Sequence, residues 1–194
     1  ACRISCASRS NSSTYPPPMD IVQLEAAIAA AGQPAFRARQ VWEWAARGAA
    51  GYDVMTNVPK PLREELARSL PFSTLTVVGE QHAKDRTVKT LFHTADGHPV
   101  EAVLMRYRDG RRSVCVSSQS GCPLTCTFCA TGAMAFGRNL TPWEILDQVL
   151  YFKRLEAAGT PGESDGVTNL VFMGMGEPLL NVDNVLTAAR RLPE

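Results

Sequence analysis

Eight residues, Cys122-Pro123-Leu124-Thr125-Cys126-Thr127-Phe128-Cys129, hold three of the chain's six cysteines at C-x3-C-x2-C spacing. Three thiolates so close in sequence reach a single metal centre. Their number is informative. A structural zinc site closes with four ligands, and an ordinary ferredoxin cubane takes four cysteines in a different spacing. A 4Fe-4S cluster held by three cysteines keeps one iron open, where a small molecule can bind and receive an electron. The same spacing is compatible with a zinc loop that borrows a distant fourth ligand, or with three unrelated buried thiols. A fourth cysteine, Cys115, lies between Val114 and Val116 and points to the opposite face of a strand from those two valines. Taken alone, it reads equally well as a small core residue. His82, His93 and His98 fall in no pattern that assigns them a role.

Composition bounds the setting. At 194 residues, 45% apolar and 20% charged, the chain reads as a globular protein of one large or two small domains. A net charge of +1 announces no global attraction to nucleic acid, so any such contact needs a local basic patch. Cysteines packed into a metal-type loop argue for a reducing compartment over a disulfide framework. No apolar run approaches the roughly 20 residues of a transmembrane helix, so no membrane role is expected. Residues 1–18 are Ser/Pro-rich, with two arginines and no acid, and read as a disordered leader. That leader is either part of a transit peptide or sequence upstream of a start at Met19.

The elements that must position the cysteines follow in order. Asp20 can cap a helix with Ile21, Leu24, Ala27, Ile28 and Ala31 on one side and Gly32 as its stop. A second helix is expected from Pro34 to Arg47, with Phe36, Val41, Trp44 and Ala45 inward and Trp42 well round from Trp44. A third runs from Leu62 to Leu70, opened by Pro61. Residues 19–72 thus form a small helical domain whose aromatics serve as core or, more sharply, as base-stacking platforms. Residues 73–112 read as an antiparallel β extension, with strands at Thr74–Val78, Thr87–His93 and Val100–Met105 and a hairpin turn at Asp96-Gly97. Arg106, Arg108, Arg111 and Arg112 crowd the next turn, as a solvated tip or as a phosphate-contacting patch.

Residues 113–194 begin with a strand, Ser113–Ser117, that runs into the cysteine loop. Thr141-Pro142-Trp143-Glu144 then combines a threonine cap, proline in the first turn and glutamate three residues after the cap, so a helix to about Ala157 is expected. It should bury Ile145, Leu146, Val149, Leu150 and Phe152. A Gly/Pro/Ser-rich loop at Gly159–Gly166 leads to an apolar stretch, Val167–Met173, read as a buried strand of a parallel sheet covered by helices. Gly174-Met175-Gly176-Glu177-Pro178 follows it, and Asn181 or Asp183 opens a last helix.

These motifs, in this order, resemble the radical S-adenosylmethionine (SAM) superfamily. More narrowly, Cys115 through Leu140 and Val171 through Asn181 resemble the RlmN/Cfr family of RNA adenosine methyltransferases, while Pro34–Trp44 and Met55–Asn57 are similar to the N-terminal domain of its RlmN branch. The resemblance runs from about Met19 to Glu194. It implies an α/β fold: the first βαβα part of an incomplete radical-SAM barrel, preceded by the helical domain and the β extension. It implies a 4Fe-4S cluster on Cys122, Cys126 and Cys129, with S-adenosylmethionine chelating the open iron. Phe128, Gly176 and Glu177 would bind that cofactor, the glycine letting backbone approach and the carboxylate accepting from the methionine ammonium. Cys115 would be a catalytic thiol that resolves a protein–RNA covalent intermediate by forming a disulfide. Glu101 would act at the target adenine by proton transfer or base positioning.

The activity implied is methylation of adenine carbon 2 in 23S ribosomal RNA and transfer RNA. One SAM methylates a cysteine near the C-terminus, and a second generates the radical that activates that methyl group. A reduced flavodoxin or ferredoxin-type donor, a cytoplasmic location and a monomer are expected with it. These 194 residues end before a methyl-carrying cysteine, and neither Cys2 nor Cys6 lies in a motif that replaces it, so the chain alone is expected to be inactive. The rival expectations are a carbon-8, Cfr-like methylase and a non-catalytic iron–sulfur or electron-transfer module.

Overall fold

A computed structural model describes residues 21–159 and 166–192. The expected leader, the Asp20 cap and most of the Gly159–Gly166 loop lie outside the described residues. Helices α1 (Ile21–Ala30), α2 (Phe36–Ala46) and α3 (Lys60–Ser69) open the structure. Leu24 and Ile28, Val41 and Ala45, and Leu62 and Leu66 meet around Tyr52 and Met55 in one apolar core. Gly32 stops α1 at φ +66°, a left-handed conformation in which its missing Cβ avoids strain. Trp44 packs on this core and donates from Nε1 to Asn57 Oδ1 at 2.6 Å, tying α2 to the segment before α3. Trp42 leaves it for Trp143, ring edge to face at 6.1 Å, so the two tryptophans divide as their spacing requires.

Phe36 departs from expectation. It is 55% exposed, with the Arg37 guanidinium over its ring. Two positions separate Phe36 from Ala38, a rotation of about 200° on a helix. Phe36 therefore faces away from the side that Ala38, Val41 and Ala45 bury.

The next strands are β1 (Leu75–His82), β2 (Val88–Thr94), β3 (Pro99–Arg106) and β4 (Arg112–Cys115), each antiparallel to the one before. A two-stranded ribbon, β5 (Gln119–Ser120) with β6 (Arg138–Asn139), precedes α4 (Pro142–Ala157), which crosses to β7 (Asn169–Val171). Strand β7 lies parallel to β4, pairing Ser113 with Asn169 and Cys115 with Val171, so the sheet order is β1-β2-β3-β4-β7. Helix α5 (Val182–Arg191) follows.

Helix α4 begins with both halves of a capping box: Thr141 Oγ1 accepts from the Glu144 amide, and Glu144 accepts from the Thr141 amide. Such a cap contributes about 1 kcal/mol. Ile145, Leu146, Val149 and Phe152 pack on Phe92, Val100, Ala102, Leu104, Val114 and Val116 of the sheet. Each of these large side chains contributes roughly 1.5–3 kcal/mol by leaving water.

The stretch Val167–Met173 yields a shorter strand than its apolar run suggests. Only Asn169–Val171 pair, none of the three is buried, and Met173 is 80% exposed. Among the described residues β7 is the sheet's edge, and α4 covers one face only. A strand bounded on one side and one face cannot bury its residues. The opposite face, which carries Glu101, Val103, Met105 and Cys115, stays half-open.

The arginine-rich turn is largely neutralised. Arg106 donates from Nε to Glu156 Oε1 at 2.9 Å, and Arg112 Nε lies 2.9 Å from Glu156 Oε2. Arg111 pairs with Asp109 at 2.7 Å and stacks over Tyr107. This favours the paired tip over an open phosphate patch. Among the described residues no helix is long and apolar enough to cross a membrane.

Candidate active site

The cysteine loop leaves the end of β4 and returns through β6, closed at its neck by the β5–β6 pairs Gln119 with Asn139 and Ser120 with Arg138. The Gly137 amide also donates to Ser120 O at 2.9 Å. Gly121 makes the exit turn at φ +71°, and a Cβ there would stand 2.2 Å from Ala135 O. Only glycine fits both the dihedral and the contact. Arg138 braces the return strand. It donates to Asp96 Oδ2 and Oδ1 at 2.7 and 2.6 Å, on the β2–β3 turn, and to Glu144 Oε2 and Oε1 at 2.9 and 2.7 Å, at the start of α4.

Hydrogen bonding from Arg138 holds the Asp96 carboxyl well below the usual carboxylate range, against the opposing effect of burial. Because the folded value lies below the unfolded one, near 3.8, the stabilisation is present above that pH and is lost as pH falls through the depressed value. The melting temperature should therefore drop between pH 5 and pH 3 by about 2 °C more in the parent than in Asp96→Asn. The increment is small because Asp96 and Arg138 are both partly exposed. Equal drops in a pH series of thermal melts would remove this role for Asp96.

Within the loop, the Cys129 amide bonds Cys126 O at 3.1 Å and the Gly132 amide bonds Cys129 O at 3.0 Å, forming successive tight turns. The Cys129 thiol is exposed, and backbone N–H groups of Gly132 and then Thr131 hold its pKa below the ordinary thiol value. Cys122, Cys126 and Cys129 are free thiols, as is Cys115. Among the described residues no three His, Cys, Asp or Glu side chains are gathered closely enough to hold a metal ion, so the three thiols share a loop without converging on one centre. In chemistry the donor set fits: three thiols on one accessible loop, one of them with its pKa lowered by backbone N–H groups toward the thiolate that binds iron. Phe128, between them, is 91% exposed.

The Gly174–Glu177 turn docks directly on the residues that enter this loop. The Gly174 amide bonds Val116 O at 3.0 Å, the Met175 amide bonds Ser117 Oγ at 2.8 Å, and Met175 O accepts from Ser118 N at 2.9 Å. Gly176, at φ +97°, lies against Gln119, and the Glu177 amide donates to Gln119 Oε1 at 2.9 Å. Glu177 Oε1 accepts from the Leu179 amide at 3.0 Å, capping a short turn of 3-10 helix. Beneath, Gln148 clamps both the N–H and the C=O of Ser117, and Asn181 donates to Ser118 O and Leu140 O. The backbone from Ser117 to Gln119 is thus fixed by buried amide side chains.

Cys115 and Glu101 lie on the open face of the sheet. Cys115 pairs with Val103, two residues along β3 from Glu101, whose carbonyl accepts from Ser117 Oγ. Burial pushes the Cys115 thiol pKa up, partly offset by a backbone hydrogen bond from Met173. Glu101 Oε1 stands 2.8 Å from Lys89 Nζ on β2. The structure therefore brings Cys115, the cysteine loop and Gly176-Glu177 to the same end of β4, with Glu101 on the adjoining strand.

Sequence reasoning missed the polar side chains that hold these parts together: Gln119, Asn139, Arg138, Gln148 and Asn181. The glycines at both ends of the loop, Gly121 and Gly137, were the visible signal of a closed neck.

Comparison with known proteins bears on this arrangement. The family described as "Ribosomal RNA large subunit methyltransferase N-terminal domain" matches residues 18–70. A "Probable dual-specificity RNA methyltransferase RlmN" of Deinococcus deserti is 49% identical over 158 residues, which cover 81% of this chain and 45% of the relative. A "Dual-specificity RNA methyltransferase RlmN" of Anaeromyxobacter dehalogenans is 46% identical over 172 residues, covering 86% of this chain and 45% of that one. A crystal structure of a radical SAM methyltransferase from Sphaerobacter thermophilus superposes with a TM-score of 0.80 at 45% identity, over 92% of this chain and 52% of that one. The chain thus spans just under half the length of the curated relatives it matches.

Proposed function

Because the chain belongs to the RlmN/Cfr family of radical SAM RNA methyltransferases, we propose that it carries the cluster-holding and SAM-holding part of an enzyme that methylates adenine carbon 2 in 23S ribosomal RNA and transfer RNA. The observation that carries this reading is the docking of Gly176-Glu177 on the strand that feeds the three-cysteine loop. That docking supports the reading by bringing the turn against the strand from which the three-cysteine loop departs.

Cys122, Cys126 and Cys129 would hold a 4Fe-4S cluster. When bound, the cluster supplies the electron that splits the SAM sulfonium. The chain's own residues orient the reactants. Gly176 leaves its backbone open to the ligand, and Glu177 keeps one carboxylate oxygen beyond the one that caps Leu179 to accept from the methionine ammonium. Phe128, exposed on the cysteine loop, would offer an apolar face to the cofactor. On the open face of the sheet, Cys115 would be the thiol that exchanges a covalent link to RNA for a disulfide with the second cysteine. Glu101, paired with Lys89, would position the adenine or move its proton. The match to the N-terminal domain of the RlmN branch favours carbon 2 over carbon 8. A flavodoxin or ferredoxin-type reductant, a monomer and a cytoplasmic site of action complete the reading.

Mass-spectrometric mapping tests it. Joined to the second half of a relative such as the Deinococcus protein, the chain should place methyl groups on carbon 2 of adenosine. A polypeptide of these 194 residues alone should yield none. Methylation at carbon 8 would overturn the site of attack, and methylated adenosine from the 194 residues alone would overturn the need for a second cysteine.

A further inference from the structure

We propose that Gln119 is a positioning residue that sets where S-adenosylmethionine lies relative to the three-cysteine loop. The inference deepens the function proposed above and rests on it. Gln119 is 1% exposed, although an amide side chain is costly to bury unless every polar atom finds a partner. Both ends do. Oε1 accepts from the Glu177 amide at 2.9 Å, and Nε2 donates to Asn139 Oδ1 at 2.7 Å. The orientation of the amide follows from the network, because the Glu177 N–H can only be met by an acceptor.

The two partners belong to different parts of the site. Glu177 is the carboxylate of the ligand-binding turn, and Asn139 is the β-partner of Gln119 at the neck of the cysteine loop. The main chain of Gln119 repeats the link, its N–H donating to Met175 O at 3.2 Å. Gly176 approaches so closely that a Cβ there would lie 2.5 Å from Gln119 Cβ. One buried side chain therefore spans the junction between loop and turn. Gln148, a second buried amide, clamps Ser117 from α4, and its other bond goes to Glu144 O of its own helix. Gln119 would act through the Glu177 backbone, from whose amide its Oε1 accepts.

The test uses the 194-residue chain, reconstituted anaerobically with iron and sulfide, as parent, Gln119→Leu and Gln119→Glu. The leucine variant keeps the volume and loses both hydrogen bonds. The glutamate variant restores an acceptor for the Glu177 amide. Iron content, far-UV circular dichroism and the SAM dissociation constant, read from the cluster's electron paramagnetic resonance, are measured for each. The expected result is normal fold and iron in both variants, about tenfold weaker SAM binding in Gln119→Leu, and recovery of most of that loss in Gln119→Glu. Parental SAM affinity in Gln119→Leu, or equal weakening in both variants, would overturn the role of Gln119 while leaving the functional reading standing. Loss of SAM binding only in proportion to lost iron or lost fold would reduce Gln119 to a structural residue and overturn the proposal likewise. A parent that takes up iron and ignores SAM would sink the functional reading itself, and the proposal with it.

Discussion

Cys126→Ala is expected to leave a folded chain that takes up almost no iron. The substitution removes one sulfur from a partly exposed loop and no apolar core contact, since the loop's shape rests on backbone bonds and on Gly132, where a Cβ would stand 2.8 Å from Cys126 O. Far-UV circular dichroism and melting temperature should therefore match the parent. Iron uptake should not, because two thiolates cannot replace three. A loss of more than about tenfold in iron per chain is the expected magnitude. Cys115→Ala is the matched control. Its thiol lies on the sheet face and not on the loop, so iron content should hold. Equal iron in Cys126→Ala and parent would remove the loop from the metal chemistry altogether.

Gly176→Ala should do the reverse: keep iron and lose the cofactor. The backbone at Gly176 has φ +97°, which costs an L-residue about 1–2 kcal/mol, and the new methyl group would stand 2.5 Å from Gln119 Cβ. That atom cannot move aside freely, since Gln119 is tied at its backbone, at Oε1 and at Nε2. Overpacking of this kind adds about 1–3 kcal/mol. The turn must shift, and Glu177 with it, so SAM affinity should fall by about a hundredfold or more. The cysteine loop lies across the β5–β6 neck from the disturbance, so iron content should stay within a factor of about two of the parent. Titration of the reconstituted protein with SAM checks both numbers. Parental affinity in this variant would show that the turn is not where the ligand binds.

The parts of the architecture set by local chemistry were legible before the structure. The Thr141–Glu144 capping box and the apolar spacing of α4 are complete within a dozen residues, and both appear as expected. So do the Asp96-Gly97 hairpin and the outward turn of Cys115 between two buried valines, which follow from a period of two. What failed depends on partners distant in sequence. The arginines near Asp109 left a solvated tip and a phosphate-contacting patch equally open, because Glu156, which meets Arg106 and Arg112, lies some 50 residues later. Val167–Met173 read as a buried strand because composition reports apolarity and not whether a neighbouring strand covers it. The β5–β6 neck escaped notice for a related reason: each strand is two residues long, and Gln119 and Asn139 pair across 20 positions. A buried glutamine has no sequence signature. Its burial is stable only once the Glu177 amide and Asn139 have been brought to it.

Three cysteines on one loop that hold a 4Fe-4S cluster would leave an open iron to take S-adenosylmethionine. Electron paramagnetic resonance of the reconstituted, reduced 194-residue chain, recorded with and without S-adenosylmethionine, tests it most directly. The expected result is a 4Fe-4S signal that changes shape when S-adenosylmethionine is added and reverts when it is removed. A signal indifferent to S-adenosylmethionine, or a chain that binds zinc tightly and takes up no iron, would contradict it.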